Sequence, residues 1–338
     1  MNMTQTKTQM ETVIRNIETV ILGKTTEIKL VLSAFLAGGH VLLEDVPGTG
    51  KTMLARALAR SFDVSFSRIQ FTPDLLPSEL TGINFYSPKT GEFTFRKGSL
   101  FANIVLADEI NRATPRTQSG LLESMEELQI SVDGTTYPLE PPYFVIATQN
   151  PIETQGTFPL PEAQLDRFLI QLNLGYPQMA ESVNILKNFI TGGQRQQVGA
   201  ELRTNIPSAG APLKQLQPVC SKDDFAALRQ AASEVFIHDE VYAYMVQLAE
   251  ATREHEAVAL GISTRGVLAL ARLAQAYTAI EGREFVMPQD IVQLVPYVFS
   301  HRIALKGGIK NRMSAVSSVL EEILAEVKPP TEVWKNNG

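Results

Sequence analysis

The run Gly48-Thr49-Gly50-Lys51-Thr52 has the residue types and spacing that can cradle phosphate. Glycines at 48 and 50 let the backbone turn its N–H groups toward phosphate oxygens, and a following helix adds its positive end. Lys51 then reaches the β- and γ-phosphates of a nucleotide, and the Thr52 hydroxyl holds Mg²⁺. Pro47, Thr49 and Met53 belong to the same binding run. The full phosphate-loop pattern asks for glycine at position 45, where this chain has Asp45, so that side chain must point away from the phosphates.

A second constellation closes the run Asn103 to Glu109 with two acids. An acid at the C-terminal end of a central parallel strand sits beside the phosphate crevice. Asp108 is expected to hold Mg²⁺ through its waters, and Glu109 to take a proton from, or orient, the attacking water. Adjacent acids also end strands with no chemistry attached, and the phosphate loop upstream decides between these readings. Asn150, at the tip of a third apolar run, is placed to touch the γ-phosphate or the water, or serves only as a polar loop residue.

These residues need a scaffold. Val41-Leu43, Ile104-Ala107, Phe144-Ala147 and Phe168-Ile170 are continuous apolar runs, the form taken by strands buried on both faces. Ser67 to Phe71 is a weaker strand candidate. Leu54, Leu58 and Phe62 recur at spacing four after Lys51 and give one helical stripe. Alternation around Pro88–Gly91 (Ile83, Phe85, then Phe93, Phe95) predicts a hairpin, and Ile130 and Val132 before Asp133-Gly134 predict another. Both hairpins are either surface decoration or grips for a substrate or neighbour. Residues 191 to 218 show no apolar period and read as a linker. Beyond them Ser221–Asp224 resembles a capping box, Ser263 caps a helix to about Ile280 with Gly282 past its end, and Pro288 suits a first turn. No strand-like alternation follows residue 220, so the second domain is expected to be helical.

The chain has 338 residues, enough for two domains, with 44% hydrophobic and 20% charged residues and a net charge of −6. That balance argues against a nucleic-acid binder, whose domain is usually basic, and no Lys/Arg run exceeds Arg96-Lys97. No apolar run suffices to cross a bilayer, and Met1 to Glu11 lacks a signal peptide's apolar stretch. One cysteine, Cys220, and four scattered histidines give neither a disulfide nor a zinc pattern. A cytoplasmic protein is the expectation.

With these elements placed, the chain resembles the MoxR family of AAA+ ATPases over nearly its whole length. The stretches that carry the resemblance are G-H-V-L-L-E-D-V-P-G-T-G-K-T (39–52), R-I-Q-F-T-P-D-L-L-P-S-E-L-T-G (68–82), A-D-E-I-N-R-A (107–113), A-T-Q-N-P-I-E (147–153) and L-P-E-A-Q-L-D-R-F (160–168). The resemblance implies an α/β fold: a P-loop AAA+ αβα core with a parallel sheet and β-hairpin inserts, then a small all-α lid. It implies a core over 1–177, a connecting helix and Gly/Gln/Pro-rich linker over 178–220, and a lid over 221–330.

By match, Asn150 stands at the sensor 1 position and Arg167 where an arginine finger reaches a neighbour's γ-phosphate. Arg265 stands at sensor 2, and Ile21-Leu22-Gly23 at the segment packing against adenine. Each has a plainer alternative: an intrachain salt bridge for Arg167, a solvated helix start for Arg265, and apolar packing for Ile21 and Leu22. The resemblance further implies Mg²⁺-dependent ATP hydrolysis in a homo-oligomeric ring, with six subunits the family expectation. Its use would be chaperone-like maturation of, or cofactor insertion into, client proteins, with a von Willebrand factor A domain protein as partner. A nucleic-acid-associated motor and a nucleotide-gated scaffold with little turnover are the competing classes.

Overall fold

The computed structural model describes residues 1–89, 91–150, 156–183, 186, 213, 216–307 and 312–330. Most of the expected linker, residue 90 of the first turn and residues 151–153 of the sensor stretch lie outside the described residues. The sheet contains β1 (Val41–Glu44), β2 (Phe66–Gln70), β5 (Ile104–Asp108), β8 (Phe144–Gln149) and β9 (Ile170–Leu172), in the spatial order β2-β5-β8-β1-β9. All its pairings are parallel; Val41 lies opposite Ile146 on one side and Ile170 on the other.

Three of the four continuous apolar runs form the inner strands, buried on both faces. Alternate residues feed two layers, as the pleat requires. Val41, Leu43, Ile104, Leu106, Phe144 and Ile146 join one core, while Leu42, Val105, Ala107, Val145 and Ala147 join the other. The first core is covered by α1 (Met3–Glu18), α2 (Thr25–Leu36) and α3 (Lys51–Ser61), the second by α4 (Pro77–Thr81) and α5 (Pro115–Glu127). The weaker candidate at 67–71 becomes β2, an edge strand with a half-exposed face, which explains its faint apolar signal. The run at Phe168 becomes a strand only from Ile170, because the carbonyls of Phe168 and Leu169 are taken by Arg302.

Both expected hairpins form: β3 (Gly82–Ser87) with β4 (Glu92–Lys97), and β6 (Gln129–Val132) with β7 (Thr135–Pro138). Phe95 stacks on Tyr137 at 4.0 Å between ring centroids and 10° between planes, joining the two.

The C-terminal half holds α6 (Glu162–Leu165) before β9, then α7 (Lys222–Ser233), α8 (Asp239–Glu254), α9 (Thr264–Ile280), α10 (Pro288–Phe299) and α11 (Arg312–Glu326). The capping box at Ser221 forms, with Asp224 N donating to Ser221 Oγ at 3.1 Å and Ser221 N to Asp224 Oδ2 at 2.9 Å. Ser263 caps α9 and Pro288 opens α10. Within this helical half two strands too short to alternate, β10 (Val258–Leu260) and β11 (Ala304–Leu305), pair antiparallel. The half is not a separate body. One apolar cluster runs from Met10 to Ile323, and Phe225 of α7 packs against both Phe35 and Phe62, at 4.3 and 5.7 Å between ring centroids. Such aromatic pairs contribute about 1 kcal/mol each beyond their buried area.

Candidate nucleotide site

β1 ends in a loop that folds around its own glycines. Gly48 and Gly50 have φ of +88° and +92°, a region open to glycine and costly for other residues. A Cβ on Gly48 would meet nothing within 4 Å, so backbone shape rather than space demands glycine there. Helix α3 begins at Lys51 with no side-chain cap, which leaves its first N–H groups available to an anion. Lys51 Nζ donates to the carbonyls of Asp45 (3.0 Å) and Val46 (3.3 Å). Thr49 turns its hydroxyl to the Val46 carbonyl at 3.4 Å and so offers its backbone to the loop.

Asp45 resolves the departure from the phosphate-loop pattern. It is 1% exposed, and its carboxylate accepts from Leu174 N (2.6 Å) and Gly175 N (3.2 Å) beyond β9. The side chain therefore points away from the loop and ties the end of β1 to the turn after its neighbour.

β5 delivers the two acids to the same edge of the sheet. Asp108 Oδ1 accepts from Thr148 Oγ1 at 2.8 Å, and Glu109 N donates to that hydroxyl at 2.9 Å. Glu109 sits at φ +57°, a strained conformation for a side chain of its size. Its Oε2 accepts from Gln70 Nε2 (2.8 Å) and Arg112 Nη1 (2.9 Å). Asp108 Oδ2 is paired with Arg68 at 2.6 Å. Buried Asn150 (6% exposed) completes the edge. A cleft of about 380 Å³ is lined by Pro47, Gly48, Gly50, Lys51, Thr52, Met53, Arg68, Gln70, Asp108, Glu109 and Asn150. The donor set suits nucleotide phosphates with their cation: free helix amides and a lysine for the anion, and hard hydroxyl and carboxylate oxygens for Mg²⁺. Ile21 is nearby, its Cδ1 3.7 Å from where a Cβ on Gly50 would stand, while Gly23 is exposed, with the carboxylate of Glu181 where a Cβ would stand, and Leu22 is half-buried.

Arg167 and Arg265 do not line this cleft. Arg167 precedes β9, and Leu169 N donates to His40 O at 2.8 Å, level with the start of β1. The strands are parallel, so Arg167 lies at the edge of the sheet opposite the phosphate loop, about 13 Å away along a four-residue strand. Arg167 Nε pairs with Glu126 Oε2 at 2.9 Å, and Arg265 Nη1 with Glu126 Oε1 at 3.1 Å. The salt-bridge alternative for Arg167 is thus present, and Arg265, exposed at the start of its helix, is paired to the same carboxylate. Beneath them Arg302, 5% exposed, pairs with Asp166 Oδ1 at 2.6 Å and donates to the carbonyls of Asp166, Phe168 and Leu169.

Arg68, Gln70, Thr148, Glu126, Asp166 and Arg302 went unread in the sequence. Arg68 and Gln70 had one usable signal: residues two apart in a strand share a face, and that strand borders the acid-bearing one. Glu126 had none, since its partners come from distant parts of the chain.

A five-stranded parallel sheet of this order, a phosphate loop after β1, acids ending β5 and a helical lid define a AAA+ P-loop ATPase. Residues 40–170 match the model of the ATPase family associated with various cellular activities (AAA), and residues 250–323 match that of the AAA lid domain. The uncharacterized protein YeaC of Bacillus subtilis (strain 168) is 46% identical over 319 residues, 94% of each chain. Chaperone MoxR1 of Mycobacterium tuberculosis is 37% identical over 88% of this chain and 76% of its own. A solved structure from Cytophaga hutchinsonii, described there as a candidate ATPase, matches with a TM-score of 0.83 and 35% identity over 97% of both chains. The chain belongs to the MoxR family of AAA+ ATPases. Among the described residues, no helix is long and apolar enough to cross a membrane.

Proposed function

We propose that this protein hydrolyses ATP in a ring of identical subunits, six by family expectation, and spends the rearrangement on maturing client proteins. The observation that carries this reading is the division of the machinery between opposite edges of one sheet. Lys51, Thr52, Asp108, Glu109 and Asn150 converge on one cleft, while Arg167 and Arg265 stand together beyond its reach. Two arginines so placed are positioned to serve a neighbouring protomer's nucleotide, and head-to-tail contacts that repeat this arrangement would close into a ring.

In this reading the N–H groups of the loop and Lys51 hold the phosphates. Thr52 and Asp108 would hold Mg²⁺, which would supply positive charge against the phosphates. Glu109 takes a proton from water as its oxygen bonds to the γ-phosphorus and the bond to the β-phosphate oxygen breaks, releasing ADP and phosphate. Asn150 orients that water or the γ-phosphate, Arg167 and Arg265 of the next protomer neutralise the developing charge, and Ile21, Leu22 and Gly23 border the base. Residues 1–177 act as the core, 178–220 as the connection and 221–330 as the lid. The names Chaperone MoxR1 and Protein MoxR support a chaperone-like role. A von Willebrand factor A domain partner and a cytoplasmic site of action complete the proposal.

Mixing tests the division. Lys51→Ala and Arg167→Ala proteins are each expected to be inactive, the latter with nearly normal ATP affinity. Arginine fingers contribute on the order of 10³–10⁵ in rate. A mixed ring can set an intact loop against an intact finger, so activity should return on mixing. No recovery in assemblies shown by native mass spectrometry to be mixed rejects action across the interface.

A further inference from the structure

Glu126 belongs to no part of the machinery above, yet one carboxylate holds both displaced arginines, one on each oxygen. We propose that Glu126 is a positioning residue that sets Arg167 and Arg265 side by side as one clamp for the neighbour's γ-phosphate. The proposal rests on the reading that Arg167 acts across the interface.

Three features make Glu126 more than a surface partner. Its backbone is anchored: it follows Met125, whose carbonyl accepts from the buried His40 Nε2 at 3.0 Å. The backbone on either side of Arg167 is fixed as well, because Arg302 binds the carbonyls of Asp166, Phe168 and Leu169. That leaves the long side chain of Arg167 with rotamer freedom that Glu126 restricts, so less entropy is lost when phosphate is gripped. The charges are also graded. Three guanidiniums (Arg167, Arg265, Arg302) face two carboxylates (Glu126, Asp166), with Arg265 Nε 3.9 Å from Asp166 Oδ2. Three positive and two negative charges leave one net positive charge to meet an anion. Without the carboxylate at 126 that excess doubles, and like-charge repulsion drives the two outer arginines apart.

The test uses full-length Glu126→Gln, which keeps size but removes the charge and replaces one of the two acceptor oxygens with a donor amide. ATP affinity should stay within about twofold of wild type, since Glu126 lies away from the cleft. The turnover number should fall roughly 10- to 100-fold, as two ion pairs are reduced to a single hydrogen bond from a guanidinium to an amide oxygen. The side of the interface at fault is the readout that a merely structural role does not move. Mixed with Lys51→Ala subunits, Glu126→Gln should regain activity, because the Lys51→Ala protomer supplies an intact clamp. Mixed with Arg167→Ala subunits it should regain none, because both defects lie in the clamp. Glu126→Asp, with its charge kept but its reach shortened, should fall between wild type and Glu126→Gln.

Wild-type or raised turnover in Glu126→Gln overturns the proposal, as does recovery with Arg167→Ala subunits or a loss of turnover that Lys51→Ala subunits do not relieve. A thermal midpoint well below wild type in Glu126→Gln, together with equal losses in Glu126→Asp, overturns it too, since folding is then what Glu126 serves. The underlying reading fails separately: Arg167→Ala and Lys51→Ala then give no recovery together, whatever Glu126→Gln does.

Discussion

Arg68 Nη2 lies 2.6 Å from Asp108 Oδ2, and Arg68 Nε lies 3.2 Å from the same oxygen. A guanidinium therefore neutralises the carboxylate proposed to hold Mg²⁺, and cation and arginine compete for one oxygen. Arg68 is 44% exposed at its side chain, so the pair is worth no more than about 1 kcal/mol. Arg68→Met should lower the Mg²⁺ concentration for half-maximal ATPase activity by about two- to fivefold, the range that energy allows. A Mg²⁺ titration with unchanged or raised half-saturation contradicts the competition.

The neighbouring acids should give separable defects. Glu109→Gln keeps the shape of the side chain and its contacts with Gln70 and Arg112 but cannot take a proton. It should bind ATP normally and turn over at least about 10²-fold more slowly. Asp108→Asn should instead weaken Mg²⁺-dependent binding, so that excess Mg²⁺ partly restores it. Superimposable Mg²⁺ titrations and kinetics for the two variants would remove this division of labour.

Asp45 is expected to serve stability more than binding. Asp45→Asn loses charge and one acceptor facing Leu174 N and Gly175 N, at a cost of about 1–3 kcal/mol. Urea unfolding should show that loss while ATP affinity, measured by calorimetry, changes little. A collapse in affinity with unaltered stability would put the Asp45 side chain in the phosphate site after all.

His40 makes stability depend on pH. Its Nε2 faces the Met125 carbonyl at 3.0 Å and so carries the proton, while its Nδ1 accepts from Val145 N at 3.1 Å. Burial lowers its pKa from 6.5 to about 4, against the smaller opposing effect of the Met125 carbonyl. The unfolded chain then binds the extra proton at higher pH than the folded one. The stabilisation is complete above pH 6.5 and is lost as pH falls toward 4. Between pH 7 and 5 wild type should lose about 2 kcal/mol more than His40→Gln. Parallel stability curves for the two proteins over that range would show that His40 does not titrate between them.

The sequence by itself determined what is local or periodic. The phosphate loop needs glycine at particular backbone angles, inner strands must be apolar on both faces, and acids ending such a strand fall at its C-terminal edge. These constraints act within a few residues, so Gly48, Lys51, Asp108 and the capping box at Ser221 were legible before any fold was known. Edge strand β2 was faint because half of its face meets solvent, and β10 and β11 are too short to show a period. Only the tertiary structure decided where Arg167 and Arg265 stand. Parallel pairing of β9 with β1 carries Arg167 to the edge away from the phosphates, and docking of the helical half brings Arg265 to the same carboxylate. Glu126, Arg167 and Arg265 meet because three distant segments fold together, and a contact set by packing leaves no pattern in the order of residues along the chain.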